Sequence, residues 1–83
     1  MERQDIHDSV KTFILTQFLP GEDPEELADD TPLMTTGILD SLATLKLVTF
    51  LEQEFEITVE AHEADAENLN TIELIVNLVH GKL

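Results

Sequence analysis

The sequence predicts an all-α fold: a small four-helix bundle with three main helices, one short helix and a long first loop. Three segments carry apolar residues at helical spacing, and each has a capping residue or a turn signal at an end. The chain has 83 residues and no cysteine, so we expect one domain, residues 1–83, held together by packed helices. Disulfides and thiolate zinc sites are excluded by the same count.

The first helix is predicted from Asp5, as its N-cap, to about Leu19. The segment "PGEDP" at residues 20–24 should end this helix, because proline cannot continue it. Its apolar side chains fall on one face at the spacing of an α-helix. They are Ile6, Val10, Phe13, Ile14, Leu15 and Phe18.

The connection between residues 20 and 39 is unusually long for a domain of this size, so we expect it to pack against the helices. Its segment "DPEEL" is expected to form one short turn. Gly37 permits a backbone conformation that larger residues resist. The apolar residues available for packing are Leu27, Leu33, Met34, Ile38 and Leu39.

The second helix is predicted from Ser41 to about Glu54. Asp40 suits its N-cap, because a carboxylate there accepts amide hydrogens at the positive end of the helix dipole. The helix holds too many apolar residues for one narrow stripe, so some are expected on a surface that a partner covers. Residues 55–59, "FEITV", predict an extended connector without a partner strand.

Residues 60–68, "EAHEADAEN", predict a short, weak helix or a turn. The last helix is predicted to follow Asn70 as N-cap, with Glu73 completing a capping box. Gly81 is expected to end it. The inward stripe of this helix is Ile72, Ile75, Val76 and Val79.

Charge is the strongest feature of the composition. Eighteen acidic and four basic residues give a formal net charge of -14. Such a surface repels nucleic acid and anionic membranes, and it favours partners that present lysine and arginine. The same acidic residues could also serve only to keep a small protein in solution. The first ten residues are acidic and lack an apolar stretch, unlike a signal or transit peptide, and no apolar run approaches the roughly 20 residues of a membrane span.

Catalysis by the chain itself is disfavoured by its local patterns. Ser41 could be combined with a histidine and an aspartate, but the strand–turn–helix context and the glycines of a nucleophile elbow are missing. The histidines, His7, His62 and His80, are scattered singly and are expected to be solvated surface residues. The segment "HEADAEN" lacks the central glycine of a calcium loop. Counted from Glu63 as the first position, the twelfth position is Leu74, where a calcium loop requires a glutamate.

The segment "TPLMTTGILDSLATLKLVTFLEQEFEITV", followed after an acidic stretch by "NTIELIVNLV", resembles the acyl carrier protein family. The resemblance covers almost the whole chain. It implies a four-helix bundle with Ser41, from Asp-Ser-Leu, as the attachment point of a covalent 4′-phosphopantetheine arm that a transferase takes from coenzyme A. The arm's thiol would hold an acyl or aminoacyl group as a thioester, so the chain itself would not be an enzyme. A first-turn serine suits this role, because the helix dipole favours the attached phosphodiester.

The resemblance further implies that enzymes dock on the second helix and the loop before it. Asp40 is assigned to the motif and the helix cap, and it could also help the transferase orient magnesium. Two roles remain open for Leu42, that of a core residue and that of a docking contact. Ala43 and Lys46 stand where many fatty-acid carriers have acidic residues, which favours a specialised pathway over housekeeping fatty-acid synthesis. The residues expected to contact partners are Leu42, Ala43, Thr44, Leu45, Lys46, Thr49, Glu52 and Val59.

The predicted function is that of a freestanding, monomeric, cytoplasmic acyl carrier that binds neither nucleic acid nor membranes. Its expected partners are a phosphopantetheinyl transferase, an acyl- or aminoacyl-loading ligase, and downstream synthase or tailoring enzymes. An aminoacyl or peptidyl carrier of a nonribosomal-peptide-type pathway is the alternative, because Ala43, Thr44 and Thr49 suggest the more neutral face of such carriers. An unmodified acidic helical adaptor is the rival from a different class. A fatty chain inside the bundle would be lined by Leu47, Leu51, Ile72 and Val76.

Overall fold

The computed structural model describes residues 2–83, and its helices follow the predicted order. The α-helices are α1 (Arg3–Phe18), α2 (Ser41–Phe55), α3 (Ala66–Leu69) and α4 (Ile72–Lys82). Two 3₁₀ turns, Pro24–Glu26 and Ala61–Glu63, lie in the connections. No strand occurs within residues 2–83, and the all-α bundle with three main helices, a short helix and a long first loop is confirmed. No helix in this range is long and apolar enough to cross a membrane.

The hydrophobic core lies between α1, α2 and α4, and the long first loop closes it. Removing these side chains from water is the main favourable contribution to folding. The predicted packing of the loop is confirmed, because Leu27, Leu33 and Leu39 are buried. The largest fully buried side chains are Ile6, Ile14, Leu33, Leu47, Leu51, Leu69, Ile72, Ile75, Val10 and Val79.

Helix α1 begins earlier than the sequence predicts. The amide of Ile6 donates to the carbonyl of Glu2 at 3.2 Å, which extends the helical turn to residues before Asp5. Glu2 therefore occupies the N-cap position, without a side-chain capping bond. Asp5 is not the cap but lies within the first turn, where the helix dipole favours its carboxylate.

Both predicted ends of α4 are wrong. The N-cap is Thr71 rather than Asn70, and the Thr71 hydroxyl accepts a hydrogen bond from the Leu74 amide at 3.1 Å. Because the cap lies one residue later, Glu73 falls at the second helical position instead of the third, which a capping box requires. The helix continues past Gly81, since this glycine does not take the left-handed backbone that ends many helices.

The acidic segment after α2 forms two short helical pieces, as predicted. The turn Ala61–Glu63 carries a capping box between the side chains and backbones of Glu60 and Glu63. The carboxylate of Asp65 accepts the Asn68 amide at 3.2 Å and so starts α3. The Nζ of Lys82, near the end of α4, lies 2.8 Å from Oε1 of Glu63, and this ion pair links the segment to the last helix.

His7 is not a solvated surface residue, which corrects the sequence-based expectation. Its Nε2 lies 2.6 Å from Oδ1 of Asp29, its Nδ1 lies 3.3 Å from Oδ1 of Asp8, and its side chain is only 22% exposed. The hydrogen bond that the His7 ring donates to the Asp29 carboxylate raises the pKa of His7 above its ordinary value, although burial opposes the rise. The Asp29 carbonyl also accepts the Glu73 amide at 3.1 Å, so this contact joins α1, the first loop and α4.

Helix α2 begins as predicted. Asp40 has an extended backbone, and its Oδ1 accepts a hydrogen bond from the Ala43 amide at 2.8 Å. The Thr44 amide donates to the Asp40 carbonyl, also at 2.8 Å, which closes the first helical turn. Ser41, the first helical residue, is therefore held directly beside a satisfied cap.

We expect the contribution of His7 to stability to decline as pH rises. The folded pKa lies above the unfolded value, so the protonated ring stabilises the fold fully below the unfolded pKa, and this effect is lost as pH rises through the folded pKa. Thermal unfolding of the wild type and His7→Gln from mildly acidic to mildly alkaline pH measures it. The difference in Tm should be largest at the acidic end, whereas an equal difference throughout would contradict the assignment. His62→Gln, at an exposed histidine, is the matched control.

We also expect Asp40→Ala to lower the free energy of unfolding by about 1 kcal/mol, because the Ala43 amide loses its acceptor. Asp40→Asn retains a side-chain oxygen at the same place and should lose much less. Urea unfolding followed by circular dichroism measures both variants. Equal losses in the two variants would show that the capping bond is not what stabilises this end of α2.

Candidate functional site

Ser41 lies at the exposed start of a helix that is otherwise anchored in the core. Its side chain is exposed, while Ala43 and Leu47 on the same helix are buried. The amides of Ser41 and Leu42 precede the first hydrogen bond within the helix, so they remain free for an anion. These amides and the helix dipole together favour a negatively charged group attached to the Ser41 oxygen.

The loop before Ser41 is held in one conformation by its own backbone and by a distant residue. The Leu39 amide donates to the Leu33 carbonyl at 2.8 Å and closes the turn between them. Gly37 adopts a φ of 86°, the left-handed conformation that the sequence suggested. The amide of Met34 donates to Oδ1 of Asn70 at 2.9 Å. Sequence reasoning assigned Asn70 to a helix cap and missed this contact, because only the tertiary fold brings the two segments together.

A groove of about 590 Å³ opens beside Ser41. Thr44 is only 9% exposed, and within residues 2–83 its buried hydroxyl has no hydrogen-bond partner. A buried hydroxyl without a hydrogen-bond partner is unfavourable. Met34 and Ala64 contribute apolar side chains to the groove. The full lining is Met34, Gly37, Leu39, Asp40, Ser41, Thr44 and Ala64.

Four of the expected docking residues form an exposed surface on α2. Leu42 and Leu45 are 61% and 62% exposed, which is unusual for leucine in so small a protein. Lys46 and Thr49 are also exposed. Leu42, left open between core and docking contact, therefore belongs to the surface. We call Leu42, Leu45, Lys46 and Thr49 the α2 face.

The remaining expected docking residues do not share this surface. Ala43 and Thr44 are 6% and 9% exposed, because they lie on the side of α2 that packs inward. Val59 is 8% exposed and is held by its amide, which donates to Oε2 of Glu52 at 2.9 Å. Glu52 is half-buried and engaged in this bond. The structure thus corrects the expectation that Ala43, Thr44 and Val59 present their side chains to a partner.

The expected lining of an internal cargo chamber is tightly packed. Leu47, Leu51 and Ile72 are fully enclosed and Val76 is 3% exposed, all within one hydrophobic core. Cargo that entered between α2 and α4 would have to displace these side chains. The open space next to Ser41 is the groove instead.

Comparison with known proteins agrees with this geometry. The family model described as "Phosphopantetheine attachment site" matches residues 18–79. The "Probable acyl carrier protein PigG" of Serratia sp. (strain ATCC 39006) is 41% identical over 66 residues, which cover 80% of this chain and 75% of that protein. The "D-alanyl carrier protein" of Streptococcus suis (strain 98HAH33) is 35% identical over 81 residues, which cover 93% of this chain and 99% of that protein.

A solved structure also shares the fold. A chain of the structure described as "Crystal structure of FAD-dependent dehydrogenase" aligns with a TM-score of 0.76 and 28% identity, covering 84% of this chain and 97% of that chain. Carrier proteins of this kind are not catalysts, and they work with a phosphopantetheinyl transferase and with loading and synthase enzymes. The matched family model extends over most of the present chain. The chain therefore belongs to the family of carrier proteins with a phosphopantetheine attachment site, and its prosthetic group is 4′-phosphopantetheine.

Proposed function

We propose that the chain is a freestanding carrier, that the Ser41 hydroxyl is the attachment point of its arm, and that it delivers acyl groups to enzymes of a specialised pathway. The observation that supports this most directly is the position of Ser41. It is the exposed first residue of α2, beside the capping carboxylate of Asp40 and at the edge of the groove.

Ser41 acts in this proposal as a substrate and not as a catalyst. The transferase supplies the base that accepts the hydroxyl proton, so the chain needs none beside the serine. The chain's own part is to present the oxygen without obstruction and to stabilise the phosphodiester with the free amides of the first turn. When bound, the arm supplies a terminal thiol that holds cargo as a thioester.

We expect the wild-type chain, incubated with a promiscuous phosphopantetheinyl transferase and coenzyme A, to gain the mass of one phosphopantetheine. Ser41→Ala should gain nothing, because it lacks the accepting oxygen. The chain holds only two serines, so Ser9→Ala, on α1, is the matched control and should be modified like the wild type. Intact-mass spectrometry reads all three proteins. An unmodified wild type, under conditions that modify a known carrier, would favour the acidic adaptor.

An aminoacyl group is the second candidate cargo. Several relatives are named D-alanyl carrier protein, while another is named a probable acyl carrier protein. The sequence argument that a more neutral docking face favours an aminoacyl carrier now depends mainly on Thr49, since Ala43 and Thr44 are buried. Offering the modified protein to candidate acyl and aminoacyl ligases and weighing the thioester decides between the two. A flavin-dependent dehydrogenase is a reasonable downstream enzyme to include, given the solved chain of similar fold.

We propose the α2 face as the surface that partner enzymes contact. Leu45, Lys46 and Thr49 also border a groove of about 440 Å³ whose other wall includes Phe13 of α1. Lys46 is the only charged residue of α2 before Glu52, although the whole chain has a formal charge of -14. This favours a partner with an apolar docking pocket and a carboxylate opposite Lys46, and it disfavours a uniformly basic patch. The monomeric state and the cytoplasmic location stay predictions.

We expect Lys46→Glu to raise kcat/KM for modification by a transferase with a basic docking surface by about fivefold, as one repulsive charge contact becomes attractive. Leu45→Ala should lower kcat/KM with the same transferase, because an exposed apolar contact is lost. Lys11→Glu makes the same charge change on α1 at a residue that does not line the groove, and is the control. Equal effects at Lys11 and Lys46 would indicate net charge rather than a local contact.

A further inference from the structure

Asn70 connects the end of α3 to the loop that leads into Ser41. Its side-chain Oδ1 accepts hydrogen bonds from the amides of Met34 and Thr35, at 2.9 and 3.3 Å. Its backbone carbonyl accepts a third hydrogen bond, from the amide of Leu33. Three successive loop amides therefore end on one residue that lies 36 positions beyond Met34 in the sequence.

The loop that Asn70 holds forms one wall of the groove beside Ser41. Met34, Gly37 and Leu39 supply this wall, and Asp40 follows at once. The only bonds that otherwise close this turn in the described chain are its own backbone contacts between residues 33 and 39, together with the Thr36 hydroxyl. Fixing the amides of Met34 and Thr35 therefore fixes the start of the segment whose other end carries Ser41.

Within residues 2–83, the Asn70 side chain makes no other hydrogen bond. Its backbone is right-handed helical, with φ of -69° and ψ of -22°, a conformation that any residue adopts. The cap of α4 is provided by the neighbouring Thr71. The side-chain oxygen is thus used for the loop, and its loss would leave two loop amides without an acceptor.

We propose that Asn70 is a positioning residue that sets the fraction of molecules in which the groove wall and Ser41 are arranged for the transferase. This inference rests on the proposed attachment at Ser41. When a partner binds only the arranged fraction of molecules, its apparent affinity is the intrinsic affinity multiplied by that fraction. The chemical step afterwards is unchanged. Losing the Asn70 acceptor therefore raises KM for the carrier and leaves kcat nearly constant.

The test compares Asn70→Leu, which has a similar shape without an acceptor, with Asn70→Asp, which keeps the oxygen. Asn77→Leu is the matched control, since Asn77 is an exposed asparagine on α4 that bonds Arg3 instead of the loop. Circular dichroism first verifies folding, and Asn70→Ala replaces the leucine variant if that variant does not fold. Two quantities are then measured: hydrogen exchange at the amides of residues 34 and 35 by NMR, and kcat and KM for modification.

We expect Asn70→Leu to show about three- to tenfold faster exchange at both amides and a raised KM, with kcat within about twofold of wild type. Asn70→Asp and Asn77→Leu should resemble the wild type in both measurements. Unchanged exchange and unchanged KM in Asn70→Leu would overturn the inference, as would a defect of equal size in Asn70→Asp. If the wild type itself is never modified, the proposed function fails, while the exchange measurement still tests the contact of Asn70 with the loop.

Discussion

The capping bond between the Asp40 carboxylate and the Ala43 amide is the interaction on which the site depends. A residue at the first position of a helix is exposed, and without a cap that position frays easily. The cap fixes the helical turn, and Leu47 on the inner side of α2 anchors the same helix in the core. Ser41 is consequently open to a large enzyme but has little freedom of its own.

Helix α2 packs one side into the core and leaves the other side in water. Ala43, Leu47 and Leu51 recur every four residues and are buried. The excess of apolar residues that the sequence showed is accounted for by Leu42 and Leu45, which remain in water on the opposite side. Exposed leucines beside the proposed attachment serine are typical of a surface that is covered intermittently. In the proposed function, the packed side stabilises the fold and the exposed side is the surface that partners contact.

The parts of the fold that were predictable from sequence are those set by local interactions. Apolar periodicity located α1, α2 and α4, and the Asp40 cap was predictable because its partner Ala43 lies three residues away. Asn70 and Thr71 are both competent caps, and local rules cannot choose between neighbours. The choice is made by tertiary contacts, since the Asn70 oxygen is taken by loop amides.

Side-chain burial and long-range pairing are the two properties that could not be predicted from the sequence. His7 pairs with Asp29, 22 residues later, and no local pattern marks either residue. The burial of Thr44 depends on which side of α2 faces the first loop. Apolar periodicity alone locates that side only to within one or two residues. The docking residues proposed from the family resemblance were accordingly a mixture of exposed and interior side chains, and the structure was needed to separate them.

The packed core sets a minimum size for cargo that enters the interior of the protein. Opening a path between α2 and α4 displaces enclosed leucines such as Leu47, and losing the contacts of one buried leucine costs about 2–5 kcal/mol. Each methylene that a cargo chain buries returns only about 0.8 kcal/mol. A long acyl chain can offset the displacement, but a short acyl or aminoacyl group cannot. If the arm is attached at Ser41 as proposed, we expect short cargo to remain outside the core, beside the groove.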